Sequence, residues 1–169
     1  MSDKLSRRRY LAGTGAALTI GTLAGCSGGG DGGDGSDGSG DGGNAADDVP
    51  GEIDDYLSDA RMYEGTITDF TGQDEVTVQV GAGDVGFAFS PAAIRIDSST
   101  TVVWEWTGAG GAHNVDSVEN SESDFNSGNA VAEEGTTFEQ SFDNTGIQLY
   151  QCTPHQGNGM LGAIEVVEA

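Results

Sequence analysis

The sequence is short of positive charge, histidine, cysteine, proline and long apolar runs, and most of these shortages remove a class of function. Six lysines and arginines stand against 28 aspartates and glutamates in 169 residues. Without residues 1–25 the chain keeps only Arg61 and Arg95 against 27 carboxylates, a net charge of −25. Nucleic acid is thereby excluded as a natural partner, because binding it requires Lys and Arg to neutralise phosphates. Two cysteines, Cys26 and Cys152, do not make a disulfide scaffold. An apolar stretch at residues 11–24 has 14 residues and falls short of the ~20 that a spanning helix needs. No CxxC and no phosphate-binding loop appears.

The acids are not confined to one tail. They punctuate strand-like segments, as in Asp74-Glu75 and Glu133-Glu134. Such a surface suits molar salt. At ~1 M the screening length falls to about 3 Å, so like charges tolerate one another. The expectation is a halophilic host.

The N-terminal part reads as an address. Ser6-Arg7-Arg8-Arg9-Tyr10-Leu11 resembles a twin-arginine export signal. The apolar stretch ends in Leu23-Ala24-Gly25-Cys26, which resembles the box cleaved before a lipidated cysteine. Residues 1–25 are therefore expected to be a removed lipoprotein signal, with Cys26 carrying a diacylglycerol. Its two acyl chains suffice for stable anchoring. Residues 26–50 are expected to form the lipidated cysteine and a disordered linker. Gly, Asp and Ser dominate 27–48 and bury too little to offset chain entropy. A flexible segment of ~25 residues spans about 25–30 Å. Residues 51–169 are the expected folded domain.

That domain reads as all-β. Residues 53–62 suggest a short helical lead-in, and then short strands follow, broken by Gly, Asp and Pro. Val76, Val78 and Val80 alternate with Thr77 and Gln79, and Val102, Trp104 and Trp106 share a face. Further strands are predicted at 87–90, 93–96, 136–142, 146–151 and 161–167. Short period-2 strands without a helical repeat argue for an antiparallel sandwich or barrel. Trp104, Trp106, Phe138, Phe142 and Tyr150 are expected in its core.

The scarce residue types meet in one place. Cys152-Thr153-Pro154-His155-Gln156-Gly157-Asn158-Gly159-Met160 puts a thiol, an imidazole and a thioether on a Gly/Pro loop between two strands. The second of the two histidines lies in Gly110-Gly111-Ala112-His113-Asn114-Val115. Two histidines, one cysteine and a distant methionine are the ligands of a trigonal copper site with a long axial bond, an electron-transfer centre. Zinc favours four strong ligands and suits a thioether poorly. His113, Cys152, His155 and Met160 are the expected ligands of one copper ion. Asn114 is expected beside them, its backbone N–H aimed at the Cys152 sulfur and its side chain tying the two loops. Otherwise it is a turn residue. Pro154, Met160, Leu161 and Ala109 are the expected apolar docking patch, with electrons leaving by the His155 ring edge. No Ser/His/Asp set survives once both histidines are used, so no catalytic residues and no enzyme activity are expected.

These residues resemble the small blue copper proteins (cupredoxins, the plastocyanin family), and most closely the halocyanins. Tyr63-Glu64-Gly65-Thr66, Phe87-Ala88-Phe89-Ser90-Pro91 and Thr101-Val102-Val103-Trp104-Glu105-Trp106 look like early strands of that family. The resemblance implies a Greek-key β-sandwich and single-electron shuttling at the outer face of the cell membrane. There a monomer would serve membrane-bound electron donor and acceptor complexes, its lipid anchor in the membrane. Gln151 departs from a frequent aromatic, and Asp97-Ser98-Ser99 from a usual Pro-Gly turn. The Gly157-Asn158-Gly159 segment suggests a soft ligand loop. Two rival roles are copper delivery, which requires an exposed and exchangeable site, and service as electron donor to one dedicated enzyme.

Overall fold

A computed structural model describes residues 42–169. The export signal, Cys26 and the linker up to residue 41 lie outside the described residues. The elements in chain order are β1 Asn44–Ala46, α1 Gly51–Leu57, β2 Ile67–Asp69, β3 Glu75–Ala82, β4 Ala88–Ser90, β5 Ala93–Asp97, β6 Thr101–Trp106, β7 Asp116–Ser117, β8 Thr137–Ser141, β9 Gly146–Gln151, a 3₁₀ helix Thr153–Asn158, and β10 Leu161–Val167. No helix among the described residues is long and apolar enough to cross a membrane.

The strands form two sheets, ordered β1-β2-β5-β10-β9-β7 and β4-β3-β6-β8. Alternation dictates what lies between them. Val76, Val78 and Val80 of β3, Val102, Trp104 and Trp106 of β6, and Ile164 and Val166 of β10 point inward and are buried. Phe89, Phe125, Phe142 and Tyr150 complete this core, with Phe138 packed against it half-buried. The all-β sandwich expected from the sequence is present, but its pairing is mixed rather than purely antiparallel. β2 with β5, β5 with β10, and β3 with β6 run parallel. Those partners are far apart in sequence, and period-2 patterning carries no sign of strand direction.

The other face of the larger sheet is covered by α1. Pro50 supplies a carbonyl that accepts the N–H groups of Ile53 and Asp54 at 2.9 and 3.0 Å, which starts the helix. Ile53 and Leu57, four residues apart, turn one face onto Ile67, Ala93, Leu149 and Ala163. Burying each side chain fully contributes about 1.5–3 kcal/mol.

One expectation requires correction. The sequence reading places residues 44–50 in the disordered linker, yet β1 pairs antiparallel with β2, Asn44 opposite Asp69 and Ala46 opposite Ile67. Gly43 allows the approach, since a Cβ there would meet the Phe70 ring at 2.5 Å. Arg95 then binds Asp48, Asp69 and Glu165 at 3.3, 3.7 and 2.6 Å. The ordered body thus begins well before residue 51. Asn44 lies level with Asp69, Arg95 and Glu165, whereas β10 begins beside Met160 at the other end. The chain therefore enters the sandwich at the end opposite the 152–160 loop.

Candidate metal centre

Strand β9 buries Leu149 and Tyr150 and delivers Cys152 at its end, fully buried. The loop that follows closes on itself. The Cys152 N–H donates to the Met160 carbonyl at 3.0 Å, and the His155 N–H to the Cys152 carbonyl at 2.9 Å. The Met160 N–H donates to the His155 carbonyl at 3.2 Å. One short 3₁₀ turn, opened by Pro154, thereby brings His155 back over the thiol.

His113 comes from the other loop. Its N–H and carbonyl bridge Val131 at 2.8 and 2.9 Å, and its carbonyl also accepts the Trp106 indole N–H at 3.1 Å. The ring is buried, and its Nε2 lies 2.8 Å from the Ala109 carbonyl. A carbonyl only accepts, so Nε2 carries the hydrogen and Nδ1 presents its lone pair. Burial holds the His113 pKa below its ordinary value, which keeps the ring neutral.

Three donor atoms face one another. The Cys152 Sγ lies 3.5 Å from Nδ1 of His113 and 3.5 Å from Nδ1 of His155, and the two nitrogens are 3.1 Å apart. A point equidistant from all three lies about 2.0 Å from each, a metal–imidazole bond length. Lone pairs converging in a dry space repel unless a cation joins them, and a thiolate with two imidazoles suits copper. Among the described residues, these are the one His/Cys/Asp/Glu group able to hold a metal. Met160 is not in that triangle. It is buried in the same core cluster as Cys152 and pairs with it through the backbone.

Around the donors the chain is tightly tied. Burial pushes the Cys152 thiol pKa up, and the backbone N–H groups of Asn114 and His155 act the other way by hydrogen bonding to the sulfur. The Asn114 side chain, almost buried, accepts the Thr153 N–H at 2.8 Å and donates to the Thr153 hydroxyl at 3.2 Å and the Gly128 carbonyl at 3.4 Å. The Thr153 hydroxyl in turn donates to Asp116 at 3.1 Å. Asn114 therefore bridges the His113 loop to the Cys152 loop.

Two contributors escaped the sequence reading. Phe87 lies face to face with the half-buried His155 ring, centroids 4.3 Å apart and planes at 20°. Its signals in the sequence are its place at the head of a predicted strand and in the family-like run Phe87-Ala88-Phe89-Ser90-Pro91. Thr153 had no signal beyond its position after the cysteine. The expected docking patch also needs correction. Pro154 and Ala109 are exposed, but Met160 is fully buried and Leu161 packs half-buried toward α1. Met160 and Leu161 are neighbours in extended chain, so one turns to the core between the sheets and the other to the α1 side. Val85, half exposed, precedes Gly86, whose backbone packs against Ala109 and Gly110.

Comparison with known proteins agrees with this centre. The family model "Copper binding proteins, plastocyanin/azurin family" matches residues 75–167. The chain is similar to halocyanin of Natronomonas pharaonis, 59% identical over 164 residues, covering 96% of this chain and 98% of that one. It is similar to plastocyanin of Scenedesmus fuscus, 34% identical over 98 residues, covering 54% of this chain and 99% of that one. A solved structure of a purple cupredoxin from Nitrosopumilus maritimus aligns with a TM-score of 0.45 at 26% identity, over 54% of this chain and 98% of that one. A family match over more than half of the residues, and a close relative along nearly all of them, give the same answer as the ligand triangle: the chain belongs to the plastocyanin/azurin family of copper-binding proteins, as a halocyanin-like cupredoxin that takes one copper ion.

Proposed function

We propose that the protein is a single-electron carrier whose type 1 (blue) copper would be held by His113, Cys152 and His155, with the Met160 thioether as a fourth, weaker donor. The observation that carries this reading is the triangle of two Nδ1 atoms and one sulfur with sides of 3.1, 3.5 and 3.5 Å. When bound, copper supplies the one-electron chemistry by alternating between Cu(I) and Cu(II). The chain's part is to keep the donors in place across that change. Asn114 and Thr153 lock the two loops together, and Ala109 fixes the His113 tautomer. Phe87 holds the plane of the His155 ring. Little then has to rearrange on transfer.

Burial of His113 and Cys152 favours a carrier over a delivery protein, which needs ligands that a recipient can reach. The half-buried His155 is the route to the surface, where Pro154, Ala109 and Val85 form an apolar docking patch. A groove of about 390 Å³ lined by Arg61, Met62, Gly83, Asp84 and Val85 lies beside it. At molar salt charge steering is weak, so docking relies on this apolar surface. We further place the protein on the outer face of the cell membrane of a halophile. It would be exported by the twin-arginine route, anchored through lipidated Cys26, and would serve as a monomer between membrane-bound donor and acceptor complexes without catalysing a reaction. The relative named halocyanin supports this placement, as do the Arg7-Arg8-Arg9 and Leu23-Ala24-Gly25-Cys26 motifs.

The test is a titration of the protein with Cu(II) in concentrated KCl. The expected result is an intense blue band at one copper per chain, lost in Cys152→Ser, with reversible one-electron voltammetry. A colourless complex, or copper yielded rapidly to a chelator, overturns the carrier reading in favour of delivery. Labelled-lipid incorporation that survives Cys26→Ser refutes the anchor.

A further inference from the structure

The ligand loop leans on a part of the chain that precedes the family-matched residues. The match begins at residue 75, yet the turn after α1 lies along the loop's far side. The Arg61 N–H donates to the Gly159 carbonyl at 2.9 Å, and the Arg61 Nε–H donates to the Asn158 carbonyl at 2.7 Å. Gly159 stands in the left-handed region at φ 81°, and a Cβ there would come within 2.5 Å of the Asp59 carbonyl oxygen. One turn earlier the Tyr56 hydroxyl donates to the Tyr150 carbonyl at 2.9 Å, in the strand that leads to Cys152. Ile53 and Leu57 hold this whole lead-in to the sheet.

The loop needs such support. No residue of its 3₁₀ helix is buried, so no apolar side chain of that helix anchors it, and 3₁₀ hydrogen bonds are poorly aligned. Gly157 and Gly159 add backbone freedom between His155 and Met160. Arg61 is one of two arginines among the described residues, and the other is engaged by three carboxylates. Its guanidinium instead meets a carbonyl at the C-terminal end of the 3₁₀ helix, where positive charge is favoured.

We propose that Arg61 is a positioning residue for the copper site: with the Asp59 backbone it clamps Asn158 and Gly159 to the α1 lead-in and so keeps the 155–160 arm at ligand distance from Cys152. This rests on the copper reading above. Asp59 and Arg61 lie outside the family-matched segment, so in this chain the lead-in supports the metal centre rather than serving as a spacer.

The experiment compares the full chain with its Arg61→Ala and Arg61→Lys variants, copper-free and copper-loaded, at fixed KCl. In the copper-free protein, amide exchange at Gly159 and Met160 is expected to quicken about tenfold in Arg61→Ala, the loss of roughly one hydrogen bond. The core amides of Val78 and Trp104 are expected to keep their rates. In the loaded protein, copper release to a chelator is expected to quicken several-fold in both variants, because lysine keeps the charge but not the planar Nε–H. Unchanged exchange at 159 and 160, equal quickening everywhere, unchanged release, or wild-type release in Arg61→Lys would each overturn the proposal. Failure to bind copper at all would sink the reading of the site instead, and the exchange rates of the copper-free protein would still judge the clamp.

Discussion

The Ala109 carbonyl oxygen and the His113 Nε2 stand 2.8 Å apart, and that single contact decides which ring nitrogen faces Cys152. It depends on a close backbone crossing. Gly110, at φ 77°, packs so tightly on Gly86 that a Cβ would run into the Gly86 carbonyl. Gly110→Ala should therefore displace the 109–110 turn and free the His113 ring. We expect copper affinity to fall about 10–100-fold, the usual cost of losing a partner behind a metal ligand. A chelator competition titration reads it directly, and unchanged affinity would mean that the His113 backbone bonds to Val131 and Trp106 suffice to place the ring.

Asn114→Ala should loosen the seam between the two ligand loops. It strands the Thr153 N–H and removes a donor from the Thr153 hydroxyl, both next to Cys152. Thr153 is exposed, so water takes up part of the loss, and the cost is about 0.5–1.5 kcal/mol. Urea unfolding of the copper-free protein at constant KCl should show that loss, and copper release should quicken in parallel.

Ser99→Gly should stabilise the domain. Ser99 is exposed, sits at φ 79° and occupies the turn in which the family usually has Pro-Gly. A left-handed conformation costs an L-residue roughly 1–2 kcal/mol, part of which is offset by the extra freedom glycine brings to the unfolded chain. We expect a net gain of about 0.5–1 kcal/mol by thermal unfolding, with the copper spectrum unchanged.

Acid should unfold the protein partly through Asp69. Its carboxyl is held below the ordinary carboxylate range by the Thr71 backbone N–H first; burial, next in size, opposes this, and the Thr71 hydroxyl and Arg95 add to the lowering. A depressed folded pKa means that the stabilisation is fully present above the unfolded value of about 3.9. It is lost as pH falls through the lower folded value. The stability gap between wild type and Asp69→Asn should be widest near neutrality and narrow below about pH 4. A gap that stays constant in melting scans from pH 7 to 2 would assign the effect to packing.

The three donors that converge were legible because the chain is so sparing: two histidines and one cysteine beyond residue 26 leave few ways to build a site. The strands β3 and β6 were legible because valine and tryptophan alternate there without interruption. Asn44–Ala46 was not, since Asn-Ala-Ala has no bulky alternation and becomes a strand only through pairing with β2. The burial of Met160 and the grip of Arg61 on Asn158 were equally hidden. Both depend on contacts between segments nearly a hundred residues apart or on which face a loop residue turns, and local pattern encodes neither.

The point where the chain joins the sandwich has a practical corollary. Asn44 lies level with Glu165, four residues along β10 from Leu161, or about 13 Å. A label attached at Asn44 itself would therefore stand away from the loop that carries His155 and leave that loop uncovered.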